Sequence, residues 1–159
     1  MNFISERNSL GHLVVKDVPI FVECARGETS FSQEWIREAV TKARLAEAEG
    51  YLPPLHVRHH GDKEPVRAAG FFRITKTESI KFKGKTKLAI FADLTITDPE
   101  VDSEVLTARL PYRSVEIFDV DLPAIDSLAL LDHEAPYLEL PMLMVSEPWN
   151  NSEEQGAVV

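Results

Sequence analysis

Five side chains could do chemistry if the fold gathers them: His56, His59 and His60 in "LPPLHVRHHGD", Ser114 in "YRSVEI", and the single cysteine, Cys24. Three histidines within five positions first suggest a metal site with Asp62 as a further donor, because imidazole and carboxylate are common zinc ligands. The spacing argues against it. Residues 52–60 read as a strand preceded by two prolines, and alternate strand residues point to opposite faces. His56 and His60 then share one face and His59 takes the other. The segment also lacks the H-E-x-x-H spacing that sets two imidazoles and a base on one side of a helix. No metal and no cofactor are expected.

Nucleophilic catalysis asks for a hydroxyl or thiol, a base within hydrogen-bond reach, and a group that orients the base. Cys24 lies in an apolar strand and reads as a small core residue. Ser114 is the better nucleophile. It follows a helix stop and sits near the start of a strand, between Arg113 and Glu116, and a strand holds a side chain more firmly than a loop does.

The elements that must position these residues can be read from local patterns. "GHLVVKDVPIFVECA" is one bent strand or two short ones, interrupted at Asp17-Val18-Pro19. A helix follows, capped by Ser30 or Ser32, with Ile36, Ala39, Val40, Ala43 and Ala46 at helical spacing and Gly50 as its stop. Residues 66–77 form a strand in which Gly70 marks a bulge or close approach. Residues 88–97 return from the tip "KFKGKTK" and pair with it. Asp98 caps a second helix with Pro99 in its first turn, and Pro111 ends it. Residues 112–121 are a half-buried strand, and "PAIDSLALL" is another. Six or seven strands and two helices make a mainly β, α+β domain: a small, mainly antiparallel barrel or bent sheet with helices outside. The domain spans residues 1–145, and the polar, aperiodic residues 146–159 read as a tail or linker.

The totals narrow the function classes. With 159 residues, 44% hydrophobic and 27% charged, the chain suits one soluble domain with a real core. No apolar run approaches the roughly 20 residues that span a bilayer, and "MNFISERNSL" lacks the layout of a secretion leader. One cysteine permits no internal disulfide and fits a reducing cytosol. A net charge of −9 repels phosphate backbones. Neither nucleic acid nor a membrane is expected as partner, and the lysines of residues 81–87 read as a solvated hairpin tip.

The order of these pieces carries a resemblance. "PPLHVRHH", "AAGFFRI", "LAIFADLTITDPEV", "LPYRSVEIF" and "IDSLALLDHEAPYLELP" follow one another as in the capsid maturation (prohead) proteases of tailed phages, including the Mu-type protease–scaffold proteins. From about Leu52 to Leu143 the chain resembles that family, which shares its fold with herpesvirus assemblin. The resemblance implies a herpesvirus-protease-like barrel and a serine endopeptidase that processes scaffold and capsid precursors, and itself, during head maturation. It implies Ser114 as nucleophile and His59 as base, counted five residues from Pro54, with His60 as the competitor one residue on. For the third member it implies His133, the histidine downstream of the serine; Glu116, on the Ser114 face, and Asp93 are the alternatives. It further implies the scaffold and major capsid proteins as substrates, a homodimer, and a location inside the assembling prohead in the host cytoplasm. The other reading is a non-catalytic assembly or scaffold module on the same fold.

Overall fold

The computed structural model describes residues 2–58, 66–133, 136 and 138–150. In chain order the elements are β1 (Ser5–Arg7), β2 (Leu13–Val22), β3 (Cys24–Arg26), β4 (Thr29–Phe31), α1 (Gln33–Ala48), β5 (Pro54–Val57), β6 (Arg67–Phe82), β7 (Lys85–Ile96), α2 (Pro99–Leu106), β8 (Tyr112–Glu116), β9 (Ser127–Leu131) and β10 (Trp149–Asn150). The chain is mainly β with two helices. One sheet of eight strands runs β10-β1-β2-β7-β6-β5-β9-β8, and β3 and β4 form a separate hairpin.

Both helices begin where local chemistry says they should. Ser32 Oγ accepts the Trp35 amide at 3.2 Å, and Asp98 Oδ1 accepts the amides of Glu100 and Val101 at 2.9 and 3.0 Å. Gly50, at φ +91°, ends α1, while α2 stops at Leu106, one turn before the expected Pro111. Trp35, Ile36, Ala39 and Val40 bury the inner face of α1. Trp35 packs edge-on against Phe31 at 4.9 Å between ring centroids, and Phe31 packs the same way on Phe21 at 5.3 Å.

Gly70 explains the tight pairing of β6 with β7. A Cβ there would stand 1.9 Å from the Thr95 carbonyl oxygen, so only glycine lets the two backbones approach. The bend expected in β2 is present: register shifts fall between Val15 and Val18 and between Pro19 and Phe21. Asp17, at φ +51°, is held by its amide on Asp93 Oδ1 at 3.0 Å.

The sheet differs from the expected antiparallel barrel in two ways. It is mixed: β5 pairs with β9, and β1 with β10, in parallel. Leu55, His56 and Val57 are all buried, so β5 must satisfy its backbone on both edges. β6 supplies one edge and β9, some seventy residues later, the other. Among the described residues no ladder closes the sheet between β10 and β8. The sheet curls instead, and a side chain spans the seam. Arg113 on β8 donates to the Pro19 carbonyl of β2 from Nε (2.9 Å) and Nη2 (2.7 Å), and to the Pro141 carbonyl from Nη1 (2.6 Å).

The strand expected over residues 112–121 stops at Glu116. Asp119 turns the chain there, its side chain accepting the Asp121 amide at 3.0 Å and its carbonyl the Leu122 amide at 3.0 Å. Residues 143–146 run along the first strand: Phe3 donates to the Met144 carbonyl, and Ser146 donates to the Phe3 carbonyl.

Candidate active site

The site is built on three neighbouring strands in the order β5-β9-β8. His56 is in register with Ala129, and Ala129 with Ser114; two positions along, Ser127 is in register with Glu116. Side chains at paired positions share a face and alternate along each strand. His56, Ala129, Ser114, Ser127 and Glu116 therefore lie on one face. Leu55, Val57, Leu128, Leu130 and Arg113 lie on the other, in the interior. Two strand spacings separate the Ser114 and His56 backbones by about 10 Å. Only the methyl group of Ala129 stands between them in the register.

A buried polar network occupies this face. His56 Nε2 lies 2.6 Å from Glu116 Oε1, an ion-pair distance. Ser127 Oγ donates to the same oxygen at 2.8 Å. His56 is 3% exposed and Ser127 1%, so Ser127 cannot meet a substrate and serves the carboxylate. Ser114 is half-buried, and its hydroxyl donates a long bond, 3.4 Å, to the Val115 carbonyl. Among the described residues no imidazole bonds to Ser114 Oγ.

Of the residues singled out in the sequence, Glu116 and Ser114 share a face, and His56, to which the resemblance gives no role, joins them. His59 and His60 lie outside the described residues. His133 sits past the end of β9, 80% exposed in its side chain, with Nδ1 2.5 Å from Asp132 Oδ1. The Leu131–Tyr112 pair separates it from the Ser114 level. Asp93 is on β7, with β6, β5 and β9 between it and β8. There it holds Lys16 at 3.1 Å, Arg73 at 3.7 Å and the Asp17 amide, a clamp on the β2 bend. Among the described residues no three His, Cys, Asp or Glu side chains converge as a metal site, and no helix is long and apolar enough to cross a membrane.

A cavity of about 200 Å³ opens on the interior side of β8, with Ser114 at its margin and Phe21, Cys24, Arg113 and Val115 among its walls. Cys24 is half-buried there. Burial pushes its thiol up, against the pull of Lys87 and Arg26, so it is a poor nucleophile. A larger open groove of about 1050 Å³ runs past Phe3, Lys16, Phe82 and Trp149. It has no hydroxyl, thiol or imidazole among its described walls.

No protein-family model, no curated protein and no solved structure matches this chain.

Proposed function

We propose that the chain is a serine endopeptidase of the prohead type on a herpesvirus-protease-like sheet, with Ser114 as nucleophile. One observation carries this reading: Ser114 shares a face and a register row with His56, whose imidazole is held by Glu116 two residues from the serine. A hydroxyl, an imidazole and a carboxylate that orients it are the parts an acyl-transfer site needs. Such hydrogen bonds are often long in an unliganded site. In this reading His56 is the base and Glu116 the orienting carboxylate.

Ser114 Oγ turns from the Val115 carbonyl towards His56, gives up its proton to the ring and attacks a peptide carbonyl. The imidazolium then protonates the leaving amine, and water releases the acyl group by the same route. The substrates are scaffold and major capsid precursors, and the chain itself, inside the prohead in the host cytoplasm. The enzyme acts as a homodimer.

A second reading is a non-catalytic assembly module; that Ser114 Oγ bonds to the Val115 carbonyl and to no imidazole among the described residues favours it. Co-expression with the capsid and scaffold proteins of the same genome separates the two. The protease reading expects processed bands that vanish in Ser114→Ala and His56→Ala. His59→Ala and His60→Ala, tested alongside, identify the base. Full-length precursors with the wild-type chain support the module.

A further inference from the structure

We infer that two copies of the chain pair through a lysine-bearing hairpin tip on one and an aspartate-bearing loop on the other, a contact made twice about a two-fold axis. The tip is the turn between β6 and β7. Lys83 and Gly84 take left-handed φ values of +51° and +78°, as a two-residue hairpin turn requires, and Phe82 is in register with Lys85. Lys81, Lys83 and Lys85 are exposed and Phe82 is half-buried. Among the described residues the lysines that form ion pairs are Lys16 and Lys76, so the charges of the tip are uncompensated. In a chain with 26 acidic residues against 17 basic ones, the tip is a positive pole. The loop follows β8. There the exposed Asp119 and Asp121 alternate with Val120 and Leu122, which are 38% and 60% exposed. Its backbone is fixed: Trp35 Nε1 donates to the Val120 carbonyl at 2.9 Å, and the Phe118 amide to Asp126 Oδ2 at 2.8 Å. A surface already ordered loses little freedom on association.

Each patch joins charge to apolar surface, and the two charges are opposite, which is the complementarity that selects a partner and its orientation. Their placement lets both contacts form at once. Phe82, Lys83 and Lys85 surround a shallow hollow that Cys24 and Leu138 also line. The same Cys24 and Leu138 line the cavity beside Ser114, together with Val120 of the loop. Tip and loop therefore flank one stretch of surface, with Cys24 between them. Two such surfaces turned face to face about a two-fold axis set each tip against the partner's loop. Exposed ion pairs contribute little each and are screened by salt, so the dimer is weak and salt-sensitive, and it covers Cys24. The pairing gives the proposed homodimer its surfaces but does not depend on whether Ser114 cuts.

The test is sedimentation equilibrium of the full chain with Ser114→Ala, which cannot process itself. It is run at low salt and at about 1 M salt, where the Debye length falls to about 3 Å. A dimer is expected at low salt, with a dissociation constant about tenfold or more weaker at high salt. Lys85→Glu and Asp121→Lys, both at exposed positions, each turn attraction into repulsion at two places and should weaken the dimer about tenfold. The chain carrying both reversals regains opposite charges across the contact and should pair like its parent. Asp121→Lys decides most, because it lowers the net negative charge and general repulsion alone would make it pair more tightly. Cys24 alkylation should slow as the parent chain is concentrated, and should not slow in either single reversal. A monomer up to millimolar concentration, a dimer indifferent to both reversals, or tighter pairing of Asp121→Lys overturns the pairing. The wild-type chain keeps this outcome separate from the protease reading. Cleavage by a chain that stays monomeric sinks the pairing alone, and a charge-dependent dimer without any cleavage sinks the protease reading alone.

Discussion

His56 Nε2 meets Glu116 Oε1 at 2.6 Å although β9 separates their strands. The contact exists because Ala129, on the strand between, offers only a methyl group to cross. The pair ties β5 to β8 over the top of β9. It fixes the face on which Ser114 stands.

Breaking this pair should therefore cost stability as well as activity. Glu116→Ala takes the carboxylate away from a buried imidazole and leaves the Ser127 hydroxyl without its acceptor, and should destabilise the fold by about 1–3 kcal/mol. Urea titrations of Glu116→Ala, His56→Ala and the double variant check this. The account expects the double variant to be less destabilised than the sum of the singles. Additive effects would show that the two side chains do not act together.

Gly70 is a second point at which one atom decides. Its φ is +156°, and an added Cβ would collide with the Thr95 carbonyl. Gly70→Ala should separate β6 from β7 locally and cost about 3 kcal/mol or more. A melting curve that matches the wild type would contradict the close approach.

Local signals in the sequence were enough for the parts that depend on neighbours. Asp98-Pro99 and the serines before α1 announce helix starts because capping is a matter of a few residues. Lys83-Gly84 announces the β6–β7 hairpin for the same reason. The parallel pairing of β5 with β9 was not legible, because it joins Leu55 to Leu128 and no local pattern reports a partner so distant. That pairing is what puts His56 in the Ser114 row and adds it to the candidates for the base. Arg113 misleads in a related way. A charged residue reads as solvent-facing, yet three hydrogen bonds to two backbone carbonyls, those of Pro19 and Pro141, let it lie in the interior. Glu116 was legible, since it shares the Ser114 face by simple alternation.

Glu23 gives a pH dependence of known sign. The Leu88 amide donates to its Oε1 at 2.8 Å and Gln33 Nε2 at 3.2 Å. The Leu88 bond foremost holds the carboxyl below its usual value of 4.5. A carboxyl lowered in the folded state stabilises above its unfolded value, and that gain is lost as pH falls through the folded one. Glu23→Gln should be less stable than wild type at pH 7, by less than about 1 kcal/mol. The difference should narrow as pH falls below the ordinary carboxylate range. A gap that persists unchanged to pH 3 would rule out the charge as its cause.

Cys24 should report on its surroundings through its reactivity. Burial raises its thiol, so less thiolate is present at pH 8 than for a free cysteine. Alkylation by iodoacetamide should run several-fold slower than for a small model thiol and recover in denaturing urea. Equal rates in the folded and unfolded chain would remove Cys24 from the cavity wall.

The central claim is that Ser114 cuts peptide bonds. Its most direct measurement is the co-expression of the chain with its own capsid and scaffold precursors, followed by mass spectrometry of the products. The account predicts discrete new termini in the presence of the wild-type chain and none with Ser114→Ala. Identical products from the two chains, or intact precursors with both, would contradict it.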